Sequence, residues 1–324
     1  MRTLIRIIPL VIVFSVSTLA RADVLTHSQQ RIHIQYKPSL AKDQRELMVE
    51  WLQRVSDALL TVYGEWPIDT FDISIQNGTS RDSPVPWGQV TRGNPDNVLL
   101  VVNSSADLEE LISDWTAFHE LSHLLIPYQG QGDNWFSEGL ATYYQNIIQA
   151  RAGLLSETGL WNKLAAGFER GRKQNQWSQF ELAEVSENMR KYRNFMRVHW
   201  SGVHYWLTAD LKIRQLSNNK TTLDSLLKQL KNCCQHSSMS AAAIAKQLDQ
   251  LASADLSSRG HSDVSIFKPL FDEYRQSLAM PNYTPLLTSL GVITGQQNGE
   301  YNVSLITDAP DAVIRKSIYK GDAN

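Results

Sequence analysis

Cysteine is almost absent from this chain of 324 residues, and the two cysteines it has, Cys233 and Cys234, are adjacent. Neighbouring residues reach disulfide geometry only with strain, so a framework of disulfides is excluded. We expect two thiols near the end of a helix, with a strained bridge between them as the alternative. The pair also lacks the ligand spacing of a zinc knuckle.

An excess of basic residues is missing too. The chain has 31 Lys and Arg against 33 Asp and Glu, a formal net charge of −2. Proteins that bind nucleic acid have a clustered basic face, so we exclude a nucleic-acid partner. The hydrophobic content of 42% in a chain of this length is enough for a sizeable core.

Long apolar runs are lacking except at the N-terminus, where two arginines precede an apolar run over residues 7–20. The small residues of Ala20-Arg21-Ala22 follow, and this is the layout of a secretory signal peptide. The run is shorter than the roughly 20 residues of a membrane-spanning helix, which makes an uncleaved anchor the less favoured alternative. We therefore predict a signal peptide over residues 1–22, cleaved after Ala22. The protein is then secreted or periplasmic, without stable membrane insertion, and its net charge moves from −2 to −5 because three arginines are removed.

The remaining chain divides into two patterns, which predict an α+β fold with a small N-terminal lobe and a mainly helical C-terminal lobe. Residues 23–103 combine one helical stretch, 42–63, with four strand-like stretches: 31–36, 71–75, 87–90 and 98–102. Residues 104–324 are almost entirely helical in pattern. After a helix that ends near Ala152, the predicted helices are 156–172, 179–196, 199–217, 221–232, 239–253 and 264–278, with one strand near 302–307.

The most informative motif, His119-Glu120-Leu121-Ser122-His123, reads H-E-x-x-H and lies in a predicted helix. We expect this helix to begin near Ser104 or Ser105, with a capping box formed with Asp107, and to stop at Pro127. Residues four apart share a helix face, so both histidines can direct an imidazole at one metal ion. Glu120 is turned by about 100° and can reach a water on that ion without being a ligand.

A hydrolytic zinc site needs three protein ligands and an open position, so one ligand is still to be found. Glu138 is the leading candidate, because it follows a short loop and sits in an aromatic, interior segment that begins at Trp135. Asp133 is the alternative. A third histidine of the metzincin type is excluded, since Ile126 and Gln129 occupy the positions where that pattern places it.

The two motifs together resemble a known family. H-E-x-x-H followed by Trp135-Phe136-Ser137-Glu138-Gly139 and then Tyr143-Tyr144 is similar to the gluzincin zinc metallopeptidases, and most similar to the glycyl aminopeptidase branch. The resemblance implies a thermolysin-like zincin fold. It also implies that His119, His123 and Glu138 bind one zinc ion and that Glu120 is the general base.

The chain departs from that family at two places. The family anchors the free amine of its substrate with a carboxylate in a strand before the zinc helix, whereas residues 86–90 here contain no acid. The family's transition-state donor is a tyrosine in Y-x-K-G, and the counterpart here is His199-Trp200-Ser201-Gly202. An imidazole N–H can also stabilise an oxyanion, so we expect His199 to be catalytic, with Tyr192 and Tyr205 as alternatives.

These observations predict a secreted or periplasmic zinc metallopeptidase that hydrolyses peptide bonds in a peptide or protein, with Glu120 activating the water. Two alternatives remain. One is a non-catalytic protein that keeps the zinc site to bind peptides, and the other is a zinc hydrolase that acts on a non-peptide bond. Thr142, one turn after Glu138, is a further candidate for supporting a ligand.

Overall fold

The computed structural model describes residues 23–37, 40–80, 82–257, 260, 263–297 and 300–321. The predicted signal peptide over residues 1–22 lies outside this part of the chain. Within it, no helix combines the length and the apolar character that a transmembrane span requires.

In the described part of the chain, seven strands form one mixed sheet and one hairpin. The strands are β1 (Asp23–His27), β2 (Gln30–Lys37), β3 (Thr70–Gly78), β4 (Trp87–Thr91), β5 (Asp96–Asn103), β6 (Val292–Gln297) and β7 (Glu300–Leu305). The five-stranded sheet has the order β1-β2-β3-β5-β4, in which β2, β3 and β5 are parallel and both outer strands are antiparallel to their neighbours. β4 is therefore an edge strand, with one side paired to β5 and the other side free of the sheet.

Thirteen helices and one 3-10 turn (His123–Leu125) are present among the described residues. They are α1 (Lys42–Tyr63), α2 (Leu108–Ser113), α3 (Thr116–Ser122), α4 (Asn134–Arg151), α5 (Glu157–Lys173), α6 (Leu182–Glu187), α7 (Met189–Tyr192), α8 (Phe195–Leu216), α9 (Leu223–Cys234), α10 (Ala241–Ser257), α11 (Phe267–Arg275), α12 (Thr284–Ser289) and α13 (Ala312–Lys320). The predicted α+β class, with a small N-terminal sheet and a helical C-terminal part, is confirmed. The division of the chain at residue 103 stays a prediction, because one hydrophobic core extends through both parts.

The predicted single helix from Ser104 to Pro127 is wrong, because the chain breaks between α2 and α3. Asp114 has an extended backbone, and its carboxylate accepts hydrogen bonds from the Thr116 N–H (2.7 Å) and the Ser83 hydroxyl (2.9 Å). Such side-chain bonds compete with the helical hydrogen-bond ladder. The capping box is also displaced by three residues, since Asp107 and Glu110 form it. The motif helix α3 is consequently short and begins just before His119.

The predicted helix over residues 179–196 is likewise replaced by α6, α7 and the start of α8. The backbone turns at Arg193, whose φ of 50° lies in the left-handed region, and α8 begins two residues later at Phe195. His199 therefore lies inside a long helix, one turn from its N-terminus, rather than at a helix start. Helices α12 and α13 and strands β1 and β6 were not predicted.

Helices α4 and α8 cross at two glycines, and this crossing sets the spacing of the site. A Cβ added to Gly139 would overlap the backbone of Gly202, and a Cβ on Gly202 would overlap the carbonyl oxygen of Trp135. Gly139 thus lies against α8. Because any larger residue here would separate the helices, the close approach depends on both glycines.

Cys233 and Cys234, at the end of α9, are joined by a disulfide with a sulfur–sulfur distance of 1.99 Å. The expectation of two thiols is therefore wrong, and the vicinal bridge, which was the alternative, is present.

Candidate metal centre

Three helices bring the predicted ligands together. α3 supplies His119, the 3-10 turn that follows it begins with His123, and the second turn of α4 supplies Glu138. The Nε2 atoms of His119 and His123 lie 3.2 Å and 3.7 Å from Oε2 of Glu138. One ligand atom from each of the three residues can be chosen so that all lie within 4.8 Å of one another. The side chains that the motif spacing selected thus converge on one small volume.

The second nitrogen of His119 is held by a residue that the sequence did not reveal. Nδ1 of His119 lies 2.8 Å from Oε1 of Gln145, on α4. An amide oxygen accepts a hydrogen bond, so this pairing places a proton on Nδ1 and turns Nε2 toward Glu138. Burial acts to lower the pKa of His119, but the hydrogen bond and charge of Glu138 outweigh it and raise the pKa. Gln145 is seven residues after Glu138 and shares its helix face, which is the only signal that could have identified it.

Burial and charge set the protonation of the group. Burial lowers the pKa of His123 to about 3, and Glu138 only partly opposes it, so this imidazole is neutral and one of its two nitrogens has an available lone pair. Burial acts to raise the pKa of Glu138, but the surrounding histidines outweigh it and hold the pKa well below the usual range. A neutral imidazole and an ionised carboxylate are the forms that bind a metal ion.

His199, from α8, completes the surroundings of Glu138 without joining the ligand set. Its Nε2 atom is 3.6 Å from Oε2 of Glu138, and its ring stacks on that of His119 with centroids 6.0 Å apart. Among the described residues, the group of donor atoms that lie within 4.8 Å of one another does not include His199. Nδ1 of His199 lies 3.3 Å from the hydroxyl of Thr142. Burial lowers the pKa of His199, so the ring is neutral, and a Thr142 hydroxyl that donates to Nδ1 places the ring proton on Nε2, facing the site.

Glu120 lies beside the ligands and is held by the edge strand β4. It is 8% exposed, and the Val90 backbone N–H donates a hydrogen bond to its carboxylate. A Cβ added to Gly88 would overlap the Glu120 side chain, so only glycine allows the strand to come this close. Burial raises the pKa of Glu120 to about 7. This value suits a group that takes and returns a proton at neutral pH.

Three alternatives from the sequence lie away from the site. The carboxylate of Asp133 accepts from Nε of Arg275 (3.1 Å) and Nε1 of Trp135 (3.2 Å), and is not part of the donor group. The Tyr205 hydroxyl is buried and donates to the carbonyl of Phe267 (2.9 Å). Tyr192 stacks on Trp177 at 4.5 Å and does not line the cleft. Of the predicted candidates, the structure brings together only His119, Glu120, His123, Glu138 and His199, with Thr142 behind them.

A cleft of about 970 Å³ leads to these residues. One wall is β4, and the opposite wall comes from α3, α4 and the segment around α7. The exposed aromatic residues Trp87, Trp115, Tyr128 and Phe195 all line it, at 49%, 49%, 40% and 36% exposure. Aromatic side chains left open to solvent around a concave site indicate a surface that binds a ligand.

Arg92 ties the cleft wall to the end of the motif helix. Its guanidinium donates to the carbonyl oxygens of His123 and Ile126 and pairs with Asp96 at 3.0 Å. The carbonyls at a helix end have no partner within the helix, so this arginine satisfies them and fixes the 3-10 turn that carries His123. The sequence contained no signal for this contact, because residues 92 and 123 are distant in the chain.

The donor set fits zinc. Two imidazole nitrogens and a carboxylate oxygen are the ligands of catalytic zinc sites, and three protein ligands leave one position open. Three atoms with lone pairs point into one volume, where a positive charge would hold them together. The Gln145 partner of His119 is the kind of support that zinc-bound histidines have.

Comparison with known proteins gives a family for part of the chain. Residues 128–211 match the M61 glycyl aminopeptidase family. This segment contains Glu138, Thr142, Gln145 and His199, but not the H-E-x-x-H motif. No curated protein matches the chain in sequence.

Solved structures extend the likeness to the whole fold. An aminopeptidase N family protein from Idiomarina loihiensis superposes with a TM-score of 0.59 and 14% identity, over 89% of this chain and 52% of that one. A two-domain M1 zinc metallopeptidase variant, bound to L-arginine, superposes with a TM-score of 0.50 and 12% identity, over 81% and 52%. The chain thus spans about half the length of these proteins. The family match over residues 128–211 and the shared fold agree with the resemblance to the gluzincin family that the motifs carry.

Proposed function

We propose that this protein is a zinc-dependent peptidase that uses Glu120 as general base and His199 as transition-state donor. The observation that carries the proposal is the convergence of His119, His123 and Glu138 within 4.8 Å, beside a buried glutamate and at the base of an open cleft. A site that only stabilised the fold would have no use for Glu120. The strand contact that holds Glu120 therefore argues against a non-catalytic zinc protein.

One zinc ion, held by His119, His123 and Glu138, would supply a Lewis acid that polarises a carbonyl and lowers the pKa of water toward ~7. Glu120 takes a proton from the attacking water and returns it to the leaving nitrogen. The water oxygen becomes part of the new carboxylate as the C–N bond breaks. His199, with its proton on Nε2, donates a hydrogen bond to the oxyanion that forms on the carbonyl.

A peptide is the substrate that the cleft accommodates. The free side of β4 lines the cleft beside Glu120, and an extended chain can pair with such an edge through its backbone. The exposed aromatic residues provide contacts for apolar side chains on either side of the scissile bond. The acids that line the cleft, among the described residues, are Glu120 and Glu138, both already assigned. This lining favours an internal bond over one next to a free amine.

The place of action follows from residues 1–22 alone. Two arginines, an apolar run and Ala20-Arg21-Ala22 support export and cleavage after Ala22. Expression in a Gram-negative bacterium, followed by fractionation and intact-mass measurement, tests this part of the proposal. We expect a periplasmic or secreted form that begins at Asp23, and an uncleaved form left in the cytoplasm would contradict it.

The peptidase proposal is tested by measuring zinc content and hydrolysis of a mixed peptide library on the same samples. We expect one zinc per chain in the wild type and in Glu120→Gln, with cleavage reduced about 10³-fold in the variant because the general base is lost. Zinc without cleavage in the wild type would support the non-catalytic alternative. Full turnover in Glu120→Gln would remove Glu120 from the mechanism.

A further inference from the structure

A second cavity, of about 440 Å³, adjoins the cleft on the other side of His199. The two cavities share Trp115 and His199 among their lining residues, so these two side chains stand between them. Gln145 and Thr142, which support His119 and His199, form part of the same wall. A peptide bound across the site would therefore have room for one of its groups beside His199.

The charged residues that line this cavity, among those that the structure describes, are both basic. Lys163 and Arg170 lie seven residues apart on one face of α5, and Ala166 between them lines the cavity as well. No Asp or Glu is among the lining residues that the structure describes. Both basic residues are exposed at the surface, and partial desolvation lowers the pKa of each; an acid, Asp114, acts in the opposite direction on Lys163. Two cations thus face a shared space that contains no carboxylate of the protein.

Arg170 is an exposed residue, and a contact with an aromatic ring positions its guanidinium. Its guanidinium lies over the ring of Trp200, 5.3 Å from the centroid. That ring is 4% exposed and packs against Gly167, where an added Cβ would overlap it. A cation fixed on a buried aromatic ring loses less freedom when it binds an anion, so its position favours recognition.

We propose that this second cavity, the Lys163–Arg170 cavity, binds a carboxylate of the peptide substrate. The inference rests on the proposed peptidase function. The carboxylate has two possible sources, an Asp or Glu side chain near the scissile bond or the free C-terminus of the substrate. In either case the enzyme selects peptides by a negative charge on one side of the bond.

The test uses acetylated alanine pentapeptides as probes. One set carries a single Glu at successive positions with an amidated C-terminus, a second is all-alanine with a free C-terminus, and a third is all-alanine with an amide. Affinity for the zinc-loaded Glu120→Gln protein is measured by calorimetry, and hydrolysis is measured with the wild type. We expect at least one carboxylate peptide to bind about tenfold more tightly than the neutral amide. The Glu set and the free-C-terminus peptide distinguish the two sources.

Variants then link this preference to the cavity. We expect Lys163→Gln and Arg170→Gln to reduce the carboxylate-to-amide affinity ratio toward one, whereas Arg170→Lys retains most of it. Lys173→Gln is the matched control, because Lys173 is on the same helix but outside both cavities, with Nζ 3.6 Å from Glu169. Equal affinity for acidic and neutral peptides, or a preference that survives in both glutamine variants, would overturn the proposal. A preference without any hydrolysis by the wild type would instead contradict the peptidase function and leave the carboxylate site supported.

Discussion

The two walls of the cleft differ in almost every physical property. The donor wall, formed by α3, α4 and α8, contains buried and partly buried polar groups bonded to one another, such as His119 with Gln145 and His199 with Thr142. The strand wall, formed by β4, has its aromatic residue Trp87 half exposed. The carboxylate of Glu120, bonded to the Val90 N–H, and the guanidinium of Arg92, bonded to the carbonyl of His123, join the two. The difference indicates that the donor wall determines the chemistry, while the strand wall determines what is bound and where Glu120 stands.

Removing a ligand from the donor wall should have the largest effect. We expect Glu138→Gln to lose most of its zinc and to lower kcat/KM by about 10³-fold or more, because several kcal/mol of transition-state stabilisation depend on the metal. Asp133→Asn is the matched control, since it makes the same carboxylate-to-amide change five residues away at an Arg275 contact. Metal analysis and peptide hydrolysis of both variants check this. Zinc lost from Asp133→Asn instead would reverse the ligand assignment.

Removing His199, the hydrogen-bond donor to the oxyanion, should have the next largest effect. We expect His199→Phe to retain zinc and to lower kcat by about 10²-fold, the range found when one oxyanion donor is lost. Thr142→Val should lower kcat by a smaller factor, because it frees the His199 ring to exchange its proton between the two nitrogens. Steady-state kinetics with parallel metal analysis separates these effects. An unchanged kcat in His199→Phe would show that another group holds the oxyanion.

A change in the strand wall that displaces the general base Glu120 should have the third largest effect. Gly88→Ala places a methyl group where the Glu120 side chain lies, and a displacement of about 1 Å can cost about 10²-fold in rate. We expect kcat to fall with zinc content unchanged. Gly295→Ala is a control in β6, where the nearest atom to an added Cβ is the carbonyl oxygen of Asn302 at 3.8 Å. Normal kcat in Gly88→Ala would mean that Glu120 tolerates a shift of the strand.

Loss of the residue that supports the zinc ligand His119 should lower zinc affinity rather than the catalytic rate. Gln145→Leu removes the acceptor of the His119 Nδ1 proton, and loss of such a partner weakens metal binding by about 10- to 100-fold. Competition with a zinc chelator measures this directly. We expect activity to recover at saturating zinc, and a kcat that stays low under those conditions would assign Gln145 a role beyond positioning.

The smallest effect should come from the exposed part of the strand wall. Trp87→Ala removes an aromatic surface that is 49% exposed, and we expect about a threefold rise in KM with kcat unchanged. Val313→Ala, 73% exposed on α13 and outside the cleft, serves as the control. A large fall in kcat for Trp87→Ala would contradict the assignment of binding to the strand wall and of chemistry to the donor wall.

The donor wall was largely predictable because its residues follow helical spacing. His119 and His123 are one turn apart, and the second motif predicted that Glu138 lies next to them. The strand wall was not predictable from the sequence, because its role depends on contacts between residues that are distant in the chain. Gly88 contacts Glu120 and Arg92 holds the turn at His123, and neither has a local sequence pattern.

The errors have a common physical origin in side-chain bonds that compete with helix formation. Asp114 ended α2 through hydrogen bonds to Thr116 and Ser83, where hydrophobic spacing indicated a continuous helix. At the turn between α7 and α8 the Gln174 side chain donates to the Arg193 carbonyl and accepts from the Met196 N–H, and His199 lies inside the helix that follows. Helical periodicity predicts which face of a helix is buried. It does not predict where a side chain forms a hydrogen bond with the backbone and so ends the helix.

The central claim is that three ligands hold one zinc ion and leave a position open, and anomalous diffraction at the zinc edge tests it most directly. Crystals of the zinc-loaded protein should show a single peak at about 2.0–2.2 Å from the Nε2 atoms of His119 and His123 and a Glu138 oxygen. Glu120 and His199 should lie beyond bonding distance of that peak. A zinc ion bound by His199 as a fourth ligand, or by Glu120, would close the open position and contradict the account.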